Sequence, residues 1–308
     1  MTTSNGVFTA TDGARIAWEC HGTEHTGTPL VLVNGLSAVM SDWGALTKSL
    51  AASRKVLVFD HRGIGKSHMT ESETEDVSIE LLARDLLDLL NHLDFHAVDL
   101  LGFSMGGAVV LAIVTRDDAQ PAVDGAGVAV QGVEVRHVVL TATFTKMPRG
   151  DFKMGDVPSA NGLSRDAHKR ALTEFLVQMQ YHPDVLVPGN PLHAQMQMRV
   201  QDSLATRRPQ ATIMHHAGAI TLYDVRERLA QVPRALPVRI VHGRRDRMVD
   251  YNESKKTEEL LPQARRLLPC GAADSEEFGH MWFDYFDLDA AWVRPLSDFL
   301  DDAPDAHL

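Results

Sequence analysis

Short, mostly apolar runs alternate along the chain with stretches of helical period. Leu30-Val31-Leu32-Val33 stops at Asn34-Gly35, Val56-Leu57-Val58-Phe59 stops at Asp60-His61-Arg62-Gly63, and Val98-Asp99-Leu100-Leu101-Gly102 runs into a glycine-rich corner. Apolar runs this short, bounded by turn residues, read as strands buried on both faces. From Ser78 to Leu93 the period changes: Ile79, Leu82, Leu86, Leu89 and Leu93 share one face, while Glu80, Arg84, Asp88 and Asn91 fall elsewhere. That spacing predicts an amphipathic crossover helix. An apolar helix is expected from Ala108 to about Thr115, with further strands at Val135–Leu140 and Pro237–His242 and a fainter one near Arg265–Leu268.

Strands that alternate with helices pair in parallel through right-handed crossovers, and a parallel sheet must be covered on both sides. The fold class this predicts is α/β, an open, doubly wound, mostly parallel sheet. Ligands in such sheets sit outside the carboxyl ends of the strands, so every loop that follows a strand is a candidate site. Two segments break the alternation. Residues 117–132 are rich in Ala, Gly and Val without a clear period and read as an extended loop or small excursion. Residues 145–222 hold no clear strand, begin with Pro148, Gly150, Gly155 and Pro158, and carry helical stretches near Asp166–Gln180 and Leu192–Leu204. A mostly helical insertion over the strand ends is expected there, with Met179, Met196, Met198 and Met214 as adaptable side chains for a pocket or a small core.

Composition narrows the partners. With 308 residues, 44% of them apolar, the chain can bury one large core. Its net charge of −11 repels phosphate backbones and anionic membranes, and no basic cluster is longer than Arg207-Arg208 or Arg244-Arg245. Nucleic acid is therefore not an expected partner. Two cysteines, Cys20 and Cys270, cannot build a disulfide framework or a four-thiolate metal site, and they fit a reducing compartment. The opening residues lack the basic start and apolar run of a secretory signal, and no apolar stretch is long enough to span a membrane. A cytoplasmic protein is expected. The last three residues, Ala306-His307-Leu308, match a degenerate peroxisomal address, although Asp301, Asp302 and Asp305 before them have the wrong charge for one.

The chemistry concentrates at Gly102-Phe103-Ser104-Met105-Gly106-Gly107, between a strand and a helix. Attack on a carbonyl needs a hydroxyl projecting from the sheet edge, and a turn sharp enough to do this leaves no room for side chains two positions either side. A phosphate-binding loop is the competing reading, but no Lys-Ser/Thr ending and no Gly-x-Gly-x-x-Gly accompanies it. A serine nucleophile needs a base, and the base an orienting acid. Asp246 follows the expected strand at 237–242, and His280 lies in Phe278-Gly279-His280, so the order is nucleophile, acid, base. Asp250 and Asp60 compete for the acid and His242 and His61 for the base, with Asp60 better suited to tying down its own turn. Fifteen histidines invite a metal reading. His215 and His216 are adjacent, however, and helical neighbours point about 100° apart, so they do not grip one ion. No metal and no cofactor is expected.

With these pieces in place the chain resembles the α/β-hydrolase fold family over nearly its whole length. The matching stretches are Val33-Asn34-Gly35-Leu36, Phe59 to Ser67, the serine corner, Gly243 to Asp246 and Phe278-Gly279-His280. The resemblance implies a core of residues 1–144 and 223–308, with 145–222 as an inserted helical lid. It also implies an oxyanion hole made by the backbone N–H groups of Met105 and Leu36. Asn34 stands where a histidine is common in the family, and Ser37 where a second glycine often sits. The resulting expectation is a cofactor-independent serine hydrolase acting on a small-molecule ester or lactone, with Ser104, Asp246 and His280 as its triad. Serine at the corner argues against the epoxide hydrolases and haloalkane dehalogenases of the family, which use aspartate. Carbon–carbon bond hydrolases, perhydrolases, acyltransferases and a non-catalytic ligand-binding member stay open as alternatives.

Overall fold

The computed structural model describes residues 1–70, 76–123, 125–271 and 275–301. The expected Ala306-His307-Leu308 signal lies outside them. The apolar runs are strands: β3 (Leu30–Val33), β4 (Val56–Phe59), β5 (Ala97–Phe103), β8 (Val133–Thr141) and β9 (Val238–Val241), all paired in parallel and joined at the edge by β10 (Ala264–Arg266). The period of two decides which side each residue faces. Val31 and Val33 enter one hydrophobic layer, Leu30 and Leu32 the other, and all four are fully buried.

Two antiparallel strands precede the parallel set, β1 (Thr3–Thr9) and β2 (Arg15–His21), and β2 continues the sheet onto β4. They are the antiparallel part of the sheet expected to be mostly parallel: β1 sits at an exposed edge, where polar residues are tolerated, so its apolar signal is weak. The stretch at 117–132 is also more ordered than expected. It folds back as β6 (Gln120–Pro121) against β7 (Val128–Val130). The far edge of β8 is thereby divided: β7 takes Val133 to Val135, and β9 takes Val138 to Thr141.

The crossovers are helical. Helix α1 (Gly44–Leu50) links β3 to β4, and α2 (Ile79–His92) links β4 to β5. Ser78 caps α2, its hydroxyl accepting the Leu81 N–H at 3.0 Å, and the helix buries Ile79, Leu82, Leu86 and Leu89. Helix α3 (Met105–Val114) is buried all round beneath the sheet. Its start three residues earlier than expected places Met105 in its first turn. The chain winds outward from β3 to β4 in one direction and then to β5 on the other side, which makes the carboxyl ends of β3 and β5 the switch point of the sheet.

Between β8 and β9 lie α4 (Arg165–Gln178), α5 (Pro191–Ala205) and α6 (Gln210–Leu222). Val177, Met196 and Val200 join one apolar layer, whereas Ala219 and Ile220 join the other. The four methionines divide: Met179 and Met196 are buried, while Met198 and Met214 are exposed. Helices α7 (Asn252–Leu260) and α8 (Arg294–Asp301) complete the chain. Among the described residues no helix is long and apolar enough to cross a membrane.

Candidate active site

Ser104 lies between the last residue of β5 and the first of α3, with φ 54° and ψ −120°. That region is sparsely populated for any residue with a Cβ and persists only where surrounding contacts enforce it. Here three hydrogen bonds do so. The Ser104 N–H donates to Thr141 O at 2.8 Å, and the Ser104 carbonyl accepts the Gly107 N–H at 2.9 Å and the Thr143 hydroxyl at 2.7 Å. The glycines leave the room this needs. A Cβ on Gly106 would lie 2.0 Å from Val33 O, and one on Gly102 would lie 2.6 Å from Gly106 O. The Ser104 side chain is half-buried at the switch point.

Asp246 lies on the loop after β9 and is fully enclosed. Its Oδ1 accepts the N–H groups of Met248 at 2.8 Å and Val249 at 2.9 Å, and its Oδ2 lies 2.7 Å from His280 Nδ1. His242, at the end of β9, adds its Nε2 3.3 Å from the same Oδ2 and 3.0 Å from Val249 O. Burial by itself raises the Asp246 pKa, but the charge and hydrogen bonds of His280, with His242 behind it, outweigh it and hold the carboxyl well below the usual carboxylate range. A carboxylate can only accept, so the His280 proton sits on Nδ1 and Nε2 is left as its basic nitrogen. The two loops are laced together, Arg244 N–H donating to Glu276 O at 2.7 Å and Arg245 N–H to Phe278 O at 3.1 Å.

His280 is 4% exposed, and its ring packs 4.8 Å from that of Phe103, the neighbour of Ser104. On the opposite side, the loop after β3 rests on the serine corner: a Cβ on Gly35 would be 3.1 Å from Ser104 Cβ. Leu36 follows, half-buried, and its N–H makes no hydrogen bond among the described residues. The Met105 N–H opens α3 and has no carbonyl one turn behind it within the helix. Asn34 turns away from this loop, its amide donating to Phe59 O at 2.6 Å, and Ser37 adopts φ 61°, the left-handed conformation for which glycine is the usual residue.

The competing residues are accounted for elsewhere. Asp60 accepts the Met40 and Lys66 N–H groups, both at 2.7 Å, which ties down the loops after β3 and β4, and Asp250 accepts the Asn252 N–H at 2.7 Å. His242 supports Asp246, a role invisible in sequence because its partner lies across a loop. Two His-x-x-x-His spacings occur, His21–His25 and His92–His96, but His21 closes β2 and His92 is the last residue of α2, so neither pair shares a helical face. Among the described residues no three His, Cys, Asp or Glu side chains gather as a metal site.

His61 is also buried, its Nε2 3.0 Å from Asn34 O, and its ring meets that of His216 on α6 edge-on at 6.1 Å. Burial lowers the His61 pKa to about 4; burial, with the neighbouring His61, lowers that of His216 to about 3. Both stay neutral in the fold and take up protons on unfolding near pH 6.5. The stability they share is therefore complete above that value and falls as the pH drops towards 4. Between pH 7 and pH 5 each histidine is expected to cost on the order of 2 kcal/mol. His216 is fully buried against His61, so His216→Leu should flatten the pH dependence of the urea midpoint. An unchanged slope would assign the acid sensitivity to other groups.

A model of the alpha/beta hydrolase family matches residues 30–285. A dihydrolipoyllysine-residue acetyltransferase component of an acetoin cleaving system from Pseudomonas putida is 29% identical over 252 residues, which cover 80% of this chain but 61% of that protein. An esterase from Exiguobacterium antarcticum superposes with a TM-score of 0.71 at 19% identity, covering 97% of this chain and all of the other. An enol-lactonase from Burkholderia xenovorans gives 0.70 at 18% identity over 96% of this chain and 100% of its own.

Proposed function

The chain belongs to the alpha/beta hydrolase family, and from that premise we propose that it is a cofactor-independent serine hydrolase cleaving a small-molecule carboxylic ester or lactone. The observation that carries the reading is the 2.7 Å bond from His280 Nδ1 to a buried, ionised Asp246, on the same sheet end as a serine forced into the corner conformation. In this reading Ser104 Oγ attacks the ester carbonyl carbon while His280 Nε2 takes its proton. The tetrahedral oxyanion is held by the Met105 and Leu36 N–H groups, each donor lowering the barrier by roughly 3 to 4 kcal/mol. His280 then protonates the leaving alcohol, and the acyl group remains on Ser104. Water, deprotonated by the same nitrogen, releases the acid and restores the serine. Residues 145–222 act as the lid over this rim.

A fluorophosphonate tests the reading directly. Folded protein is expected to gain one phosphonyl group, located on Ser104 by peptide mass spectrometry and absent after Ser104→Ala. An unlabelled, folded wild type would favour a ligand-binding member of the fold. The Pseudomonas putida relative, an acetyltransferase component by name, supports a second reading in which an alcohol or thiol replaces water in the last step. Product analysis with an added alcohol separates the two, since transfer yields a new ester and hydrolysis the free acid.

A further inference from the structure

The doublet Arg207-Arg208 joins α5 to α6, and both guanidinium groups bond to the loops of the sheet rim. Arg207 Nη1 donates to Gly63 O at 3.1 Å and Ser67 O at 3.0 Å, which fastens the junction to the loop after β4. Arg208 reaches the loop after β3. Its Nη1 lies 2.5 Å from Ser37 O and 2.9 Å from Asp42 Oδ2, its Nη2 lies 2.8 Å from Asp42 Oδ1, and its Nε donates to Thr206 Oγ1 at 2.8 Å. Four hydrogen bonds hold the planar fork, and the side chain is 12% exposed. Asp42 passes the hold on, because its Oδ2 also accepts the Val39 N–H at 2.9 Å.

What Arg208 grips is the segment that presents the Leu36 N–H. Ser37 is held with φ 61°, a conformation a serine leaves more readily than a glycine does. The Asn34 carbonyl is bonded by His61 Nε2 at 3.0 Å and the Gly35 carbonyl by the Ala38 N–H at 3.2 Å. Arg208 completes the set by taking the Ser37 carbonyl, and the Leu36 N–H is left over.

We propose that Arg208 is a positioning residue for the reaction: from the α5–α6 junction it clamps Ser37 and Asp42 and so aims the Leu36 N–H at the oxyanion. The inference rests on the Ser104 reading above. Arg208 itself touches no reacting atom. Donors of an oxyanion hole act only when they are aligned before charge develops, so loosening the segment weakens binding of the tetrahedral species more than binding of the flat ester.

The experiment compares wild type, Ser104→Ala, Arg208→Gln and Arg208→Lys in hydrolysis of p-nitrophenyl butyrate and in inhibition by a hexyl trifluoromethyl ketone, which binds as an oxyanion. Rates are normalised to the fraction of folded protein. Arg208→Gln is expected to lower kcat by about 10- to 100-fold with KM within about threefold, and to raise the ketone Ki by the factor lost from kcat/KM. Arg208→Lys, which can meet Ser37 O but not both Asp42 oxygens as well, should fall between. If Arg208→Gln does not fold, the lysine variant carries the same comparison. Normal kcat and Ki in the Arg208 variants, with Ser104→Ala inactive, would overturn this proposal alone. Activity surviving in Ser104→Ala would overturn the parent reading and this one with it.

Discussion

Ser104→Ala is expected to lower kcat/KM toward a p-nitrophenyl acyl ester by at least about 10³-fold while the thermal midpoint stays close to that of wild type. The asymmetry follows from how the corner is built. Its strain is held by backbone contacts to Thr141, Gly107 and Thr143, and alanine keeps the Cβ around which those contacts fit. Only the hydroxyl leaves. In the proposed mechanism any residual rate would come from the N–H groups of Met105 and Leu36, which could still polarise the ester for attack by water. A variant that retained most of its activity would move the chemistry to another group. One that lost activity together with several degrees of stability would leave the role of Ser104 confounded with folding, and the fluorophosphonate label would then decide.

The second large effect is expected at Gly243, which touches no substrate in any reading. Its Cα faces the other loop so closely that an added Cβ would lie 1.9 Å from Phe278 O and 2.5 Å from Phe278 Cδ2. The carbonyl cannot swing aside cheaply, because it accepts the Arg245 N–H. Gly243→Ala must therefore part the loops that carry Asp246 and His280. Overpacking of this kind costs about 1 to 3 kcal/mol, and a displacement near 1 Å at a reacting group costs about 100-fold in rate. Both losses should appear together, in the thermal midpoint and in kcat. Gly218→Ala is the control: that glycine lies within α6 with nothing inside 4 Å of the new Cβ, and the change should stabilise slightly. Equal behaviour of the two variants would mean that the loops tolerate separation.

The parallel strands and the serine corner were legible because each depends on a local rule. A strand buried on both faces is mostly apolar, as Leu30–Val33 is throughout, and a strand-to-helix corner this tight excludes side chains at positions 102 and 106. Strand β1 follows neither rule: Thr3-Ser4-Asn5-Gly6 lies at an open edge and buries little. Helix α6 was missed for a related reason. It carries Gly218, which weakens a helical pattern, yet buried Thr212, His216, Ala219 and Ile220 hold it in place. The supporting shell of the site was the least legible part. Arg208 meets Ser37 and Asp42 across 171 and 166 positions, and no periodicity records a contact of that length. The arginine doublets are the nearest thing to a basic patch in the sequence, but all four side chains have partners within the chain, Arg244 and Arg245 pairing at the surface with Glu276 and Glu277.

The divided edge of β8 has a consequence for how such a chain can diverge. Its first half borders the short β6–β7 ribbon, whose outer residues face solvent, while its last half borders β9 and ends at Thr141, the acceptor for the Ser104 N–H. Lengthening the exposed β6 arm is therefore expected to leave the pairing of Val138 to Thr141 with β9 in place, whereas changes at the buried Val128 and Val130 would reach the core that also holds Met105.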